Sequence, residues 1–230
     1  NRTYIKDYAD AIGPKTGAIL RVHPSNFSVT GFVHRPEPGE LADLAHAHDL
    51  PFLHDLGSGT FASMPAAIAH DGDPVAELEA GADVVCFSGD KMLGGPQAGI
   101  ALGTHAVIGA MAKHPFARAF RVGKLTLAAL EHTLVAYRQD APETVPVYRM
   151  LQRTPEDLEP RAHQLASSLS DLDLEIEVQR CEDKVGGGSH PDATLPGFAV
   201  GVRPPDGGVT RLAELLRNSA VPVIGTLRDD

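Results

Sequence analysis

Asp83-Val84-Val85-Cys86-Phe87-Ser88-Gly89-Asp90-Lys91-Met92-Leu93-Gly94-Gly95-Pro96-Gln97-Ala98-Gly99 decides the fold. Its opening run, 83 to 87, is short and apolar and reads as a buried strand that stops at once in a glycine-rich loop. Upstream, Pro51-Phe52-Leu53-His54 repeats the pattern as a short strand ending at Asp55, followed by Leu56-Gly57-Ser58-Gly59-Thr60. Between the two, Val75 to Ala80 reads as a short helix. Further out, Ala18 to His23 and Ala98 to Gly103 are strand-like. Glu40 to His48 carries Leu41, Leu44, Ala45 and His48 at helical spacing, with Pro38 near its start. Ala106 to Lys113 reads as a helix, and Leu125 to Tyr137 sets Leu127, Leu130, Leu134 and Tyr137 on one helical face. Strands alternating with helices predict an α/β fold with a mostly parallel sheet covered on both faces.

The composition shifts at Ala141-Pro142-Glu143-Thr144-Val145-Pro146, which reads as a linker or domain entry. A larger domain is therefore expected over 1–143 and a smaller α/β domain over 144–230. In the second part a helix runs from Pro155 to Leu169, with Thr154 as its N-cap and proline at its first position. Strands are expected over Leu174 to Val178 and near Phe198 to Val202, and a helix over Val209 to Leu216. The intervening Val185-Gly186-Gly187-Gly188-Ser189 reads as a loop or hairpin.

The 230 residues are 43% hydrophobic and 22% charged, ordinary values for a globular chain. No apolar stretch approaches the roughly 18 residues a membrane helix needs, so no membrane partner is expected. The start, Asn1-Arg2-Thr3-Tyr4-Ile5-Lys6, lacks the apolar core of a signal peptide. Cys86 and Cys181 are too few for a disulfide framework and fit no zinc spacing, which favours a cytoplasmic setting. His46, His48, His54 and His70 show no supporting pattern of further ligands, so no metal is expected. A formal net charge of −10 lacks the basic footprint of a nucleic-acid binder. Any RNA partner is expected to dock elsewhere, or on one local basic patch.

In open parallel sheets ligands gather beyond the carboxyl ends of the strands. Asp55 and Lys91 follow two such strands, each beside small flexible residues. Singly, a lysine after a strand is most often a solvated group, and an aspartate before glycine a turn residue. Jointly, they fit pyridoxal phosphate (PLP), which needs a lysine able to form an imine and an acid beside its ring nitrogen. Gly94 to Gly99 is not a P-loop, because no Gly-Lys-Ser/Thr follows.

Ser88 to Gly99 is similar to the PLP-lysine motif of the bacterial selenocysteine synthase family, the L-seryl-tRNA(Sec) selenium transferases. His23-Pro24-Ser25-Asn26-Phe27, Asp55-Leu56-Gly57-Ser58-Gly59, Arg118-Ala119-Phe120-Arg121-Val122-Gly123-Lys124-Leu125-Thr126 and Val185 to Ser189 resemble that family too, in order through the chain. The resemblance implies a fold-type-I, aminotransferase-like PLP enzyme, of which this chain is a C-terminal fragment holding part of the large domain. It implies that Lys91 binds PLP covalently and that Asp55 pairs with the pyridinium nitrogen. It further implies conversion of seryl-tRNA(Sec) to selenocysteinyl-tRNA(Sec) with selenium from selenophosphate.

Arg118 and Arg121, three apart on an expected helical turn, match the family's positions for gripping the donor's phosphate; as bare sequence they read equally as solvent-exposed arginines at a helix end. Asp90 reads either as a tuner of proton transfer at Lys91 or as an N-cap or turn residue. Asn26 is assigned to the cofactor's phenolic oxygen and Ser88 to its phosphate, against the plain reading of both as loop residues. The family continues upstream of Asn1, where its tRNA-contacting domain, phosphate-cradling loop and ring-stacking residue are expected, and its last strand is expected beyond Asp230. It assembles as a homo-oligomer, a ring of dimers, so the 230-residue segment alone is expected to be inactive. Two other readings are a PLP-dependent ammonia-lyase acting on a phosphorylated amino sugar and a non-catalytic scaffold of the same fold.

Overall fold

The run that opens the deciding stretch forms strand β3 (Val84–Ser88), and the run before Asp55 forms β2 (Phe52–Ser58). In this computed structural model the described residues are 2–24, 27, 29, 31–66, 68, 72–186 and 188–228. With β1 (Ile19–Val22) and β4 (Gly99–Gly103) the two strands make a four-stranded sheet in the order β1-β2-β3-β4. The β1–β2 and β2–β3 pairs are parallel, and β4 joins β3 antiparallel. The expected mostly parallel sheet is therefore formed, with one antiparallel edge. Cover on both faces is not complete: Leu20 and Val22 of β1 remain 57% and 59% exposed.

Helices α1 (Ile5–Ala11), α2 (Pro38–Ala47) and α3 (Pro74–Glu79) accompany the parallel strands. Their starts follow from local chemistry. Glu40 accepts from the Glu37 amide ahead of α2, and Asp73 accepts from the Val75 and Ala76 amides ahead of α3. The core gathers Ile19, Leu41, Ala45, Phe52, Leu56, Val85, Phe87 and Leu93. Burying each large apolar side chain contributes about 1.5–3 kcal/mol, so this cluster holds the sheet against α2. Polar pairs fix the rest of that packing. Asp83 accepts from the Phe52 amide and contacts His46 Nε2, both at 2.9 Å. Buried His54 meets Glu77 of α3 at 2.8 Å. Two of the histidines considered as ligands are thus engaged with carboxylates, His48 is exposed, and His70 lies outside the described residues.

Beyond β4 come α4 (His105–Lys113), α5 (Pro115–Ala119), α6 (Lys124–Arg138), a 3-10 turn (Pro142–Thr144) and α7 (Pro146–Leu151). The chain divides into two compact units, Asn1–Gln152 with Lys184–Thr194, and Arg153–Asp183 with Leu195–Asp230. The unit boundary thus falls after Gln152, whereas the sequence places a domain boundary after 143. Two contacts keep α7 with the first unit: Val145 and Val147 close on Gly94, and Gln152 Nε2 donates to the Ser63 carbonyl.

The second unit contains α8 (Pro155–Ser168), α9 (Val209–Arg217) and the outer parts of β5 (Glu175–Gly186) and β6 (His190–Arg203). Thr154 caps α8 through a reciprocal pair with Asp157, as its position predicts. Both strands are longer than expected, and the glycine-rich segment between them joins a hairpin. Gly187 lies outside the described residues. Among the described residues no helix is long and apolar enough to cross a membrane.

Candidate functional site

Asp55 sits midway along β2, opposite Cys86 of β3, and the register between the two strands slips between Asp55 and Gly57. At that irregularity Asp55 Oδ1 accepts from the Gly57 amide at 2.9 Å, while Gly57 takes a left-handed φ of 66°. A bulge of this kind re-aims a side chain, and glycine adopts the required φ without strain. Burial pushes the half-buried Cys86 thiol above its ordinary range, and the Asp55 charge adds to that. The carboxylate is therefore felt across the strand pair, on the face that Cys86 shares. The His23 amide donates to the Asp55 carbonyl, so the chain leaves β1 beside Asp55. Asn26 lies outside the described residues.

Lys91 follows the end of β3 on a tight turn, half-buried, with its neighbours Met92 and Leu93 at only 3% and 0% exposure. The turn is tied within itself. The Gly94 amide donates to the Lys91 carbonyl, the Gly95 amide to the Gly89 carbonyl, and the Gly89 amide to Ala98. It is also tied from outside. The Met92 amide donates to Ser58 Oγ at 3.2 Å, and Tyr137 Oη on α6 donates to the Leu93 carbonyl at 2.9 Å. Gly94 has a φ of 73°, and a Cβ there would stand 2.5 Å from Val145 and from Val147. Glycine at 94 is required by both conformation and space. Ser88 is the last residue of β3, pairs with Ser58 and Gly99, and is half-buried. Asp90 is exposed on the turn.

The arginine pair has a different setting. Arg118 lies in α5, whose cap is Phe120, whereas Arg121 lies beyond that cap and before Gly123, the N-cap of α6. The two arginines therefore do not share one helical turn, because the helix ends between them. Residues 110–121 are exposed throughout. No Asp or Glu occurs between Asp90 and Glu131, a stretch that carries Lys91, Lys113, Arg118, Arg121 and Lys124. Within a chain of net charge −10 this segment is thus net positive, because it excludes acids rather than because it gathers cations.

Ser58, Ser189 and Tyr137 also belong to the lysine's surroundings, although the sequence does not mark them as site residues. Tyr137 carried a usable signal, because a tyrosine on the apolar face of a helix needs a partner for its hydroxyl. Burial pushes that hydroxyl up, partly offset by its hydrogen bond with Thr60. Ser189 Oγ donates to Ser58 Oγ at 3.1 Å, from 131 positions away, a link that no local pattern announces. A cleft of about 490 Å³ in the first unit is lined by His23, Phe27, His34, Arg35, His190 and Asp192, among others; Asp55 and Lys91 are not on its wall.

The family profile described as SelA, L-seryl-tRNA selenium transferase, matches residues 1–230. The chain is 42% identical to the L-seryl-tRNA(Sec) selenium transferase of Moorella thermoacetica over 237 residues, covering 100% of this chain and 50% of that protein. It is also 42% identical to the Serratia proteamaculans protein of the same name over 239 residues, covering 100% and 51%. The chain spans about half the length of the curated relatives it matches. The solved structure of D-glucosaminate-6-phosphate ammonia-lyase superposes with a TM-score of 0.57 at 22% identity, over 97% of this chain and 52% of that one. That likeness concerns the fold alone and bears out the expected fold-type-I α/β architecture.

Proposed function

The chain belongs to the L-seryl-tRNA selenium transferase family, and from that premise we propose that the protein containing it converts seryl-tRNA(Sec) to selenocysteinyl-tRNA(Sec). Selenium from selenophosphate replaces the seryl β-hydroxyl, and phosphate is released. The observation that carries this reading is the Lys91 turn. It is cross-tied at the carboxyl end of β3, and the neighbouring parallel strand carries Asp55.

The residues present fit pyridoxal phosphate. An amine on the turn just past β3 and a carboxylate on the parallel neighbour β2 are the donor set that the cofactor's aldehyde and ring nitrogen require. PLP, when bound, supplies an electron sink for negative charge developing at the seryl α-carbon. Lys91 Nζ anchors it and carries the α-proton, with Asp90 tuning that transfer. Asp55 holds the positive charge of the ring nitrogen. Ser88 and Asn26 orient the phosphate and the phenolic oxygen. Arg118 and Arg121 grip the phosphate of the selenium donor, a role supported by the acid-free basic segment that surrounds them.

The seryl-tRNA docks mainly outside this chain, consistent with the chain's net acidity. The protein works as a homo-oligomer, a reading supported by the exposed Phe116, Phe120 and Leu125 beside the arginines. Its compartment is the cytoplasm, in keeping with free Cys86 and Cys181.

The test is reconstitution of the full-length protein with PLP, seryl-tRNA(Sec) and selenophosphate, followed by borohydride trapping. The expected adduct is on Lys91, and Lys91→Ala lowers product formation by about 10³-fold or more. Product formed by Lys91→Ala at the unsubstituted rate, or an adduct on another lysine, sinks the assignment.

A further inference from the structure

Ser58 closes β2 three residues after Asp55, and its hydroxyl is buried. Its oxygen accepts from two directions: the Met92 amide at 3.2 Å and Ser189 Oγ at 3.1 Å. A hydroxyl oxygen has two lone pairs, and both are taken. Met92 is the residue after Lys91. The Ser58 bond therefore fixes the turn bearing the lysine to the strand bearing the aspartate.

Ser189 reaches Ser58 from the tip of the β5–β6 hairpin, beyond Gly186 and Gly188, whose φ values of 106° and 87° only glycine adopts readily. Ser58, Met92 and Ser189 all belong to the first compact unit, and Ser189 and His190 are buried in it. The glycine-rich segment is more than a loop connecting two strands. It delivers a hydroxyl to the end of β2.

We propose that Ser189 and Ser58 are positioning residues that act through the Met92 amide to set where Lys91 stands relative to Asp55. The proposal rests on the reading of Lys91 as the cofactor lysine. Their role is to position the turn, not to take part in the chemistry. Without the Ser189 hydroxyl, Ser58 Oγ is free to rotate away from Met92. Without the Ser58 hydroxyl, the Met92 amide is left buried and unpaired. In both cases the turn keeps its internal bonds but loses its tie to β2, so the lysine's reach is no longer fixed.

The experiment uses the full-length protein and two readouts. One is the hydrogen-exchange rate of the Met92 amide in the cofactor-free protein. The other is the pH midpoint of the visible absorbance change in the PLP-loaded protein. Ser189→Ala is expected to speed Met92 exchange about three- to tenfold, the scale of one net hydrogen bond, and to displace the midpoint. Ser58→Ala displaces both further. Ser189→Thr keeps the hydroxyl and restores both values. Ser189→Cys, a weaker donor of similar size, gives intermediate values and supplies the reading should the alanine variant not fold. Unchanged Met92 exchange in Ser189→Ala, or faster exchange with an unmoved midpoint, overturns the proposal. If borohydride fixes no cofactor on Lys91 of the unsubstituted protein, the functional reading fails by itself. Faster Met92 exchange in Ser189→Ala then still upholds the tie.

Discussion

Two segments of the first unit carry the proposed chemistry, and they are built in opposite ways. The turn at 88–95 is bound to β2 through Ser58 and to α6 through Tyr137, and its interior residues are buried. The segment at 110–121 is exposed along its length, with Phe116 and Phe120 at 62% and 77% exposure. The contrast fits the two proposed roles. A lysine that binds covalently must meet one atom at one angle, and packing enforces that. Arginines that grip a charged donor act through long side chains and charge, which the exposed segment leaves available. Stability should therefore depend strongly on the first segment and hardly on the second, whereas activity depends on both.

The largest expected effect tests the packed side. Gly94→Ala adds a Cβ that collides with Val145 and Val147 and imposes a side chain at a φ of 73°. Left-handed strain and overpacking together should lower unfolding free energy by on the order of 2–4 kcal/mol, measured by chemical denaturation. Gly99→Ala is the control: nothing lies within 4 Å of its Cβ position, and its effect should stay within about 0.5 kcal/mol. Equal losses in the two variants would break the comparison, since the turn would then be no more tightly built than a strand end.

The exposed side is tested by Arg118→Ala and Arg121→Ala. Each should change unfolding free energy by less than about 0.5 kcal/mol, as surface substitutions do. Each should also raise the KM for selenophosphate about tenfold or more, the scale of a lost charge-assisted hydrogen bond. A variant that loses stability but keeps its KM would place that arginine with the packed segment instead.

Much of this contrast was legible in sequence, and the parts that were not have physical reasons. Apolar runs and caps announced β2, β3 and α8, because burial and orphan amides are local demands; Thr154 is the clearest case. Strand β2 ends later than the sequence predicts. The strand was expected to stop at Asp55, but the slip at Gly57 lets pairing resume through Ser58. Strands β5 and β6 were expected short because much of their length is only half-buried or exposed, so their apolar alternation is weak. Arg118 and Arg121 were expected on one turn, since three-residue spacing fits a helix but does not show where it ends. Phe120 and Gly123 supply that end. Lys91 and Asp55 could be singled out because their chemistry is written in their residue types. Ser58 and Ser189 could not, because a serine's role depends on what it meets.

The smallest expected effect probes the α6 tie to the lysine turn, through Tyr137. Its hydroxyl donates to the Leu93 carbonyl, and burial pushes its pKa above the ordinary value of 10.0. The folded state therefore favours the protonated phenol. That contribution is complete below the ordinary tyrosine value and is lost as pH rises from there through the raised value of the folded state, because the unfolded chain gives up the proton first. Tyr137→Phe removes the bond and leaves the Leu93 carbonyl without this donor, which should cost about 1 kcal/mol at pH 7. The same variant should lose stability less steeply than the unsubstituted protein as pH climbs above 10.0, so the two curves converge. Denaturant unfolding followed from pH 7 to about 11 reads both effects against the tyrosine's ordinary titration range. Parallel curves would mean that the Tyr137 proton is not coupled to folding. Coincident curves, with no loss at pH 7, would leave the lysine turn held to β2 by Ser58 without help from α6.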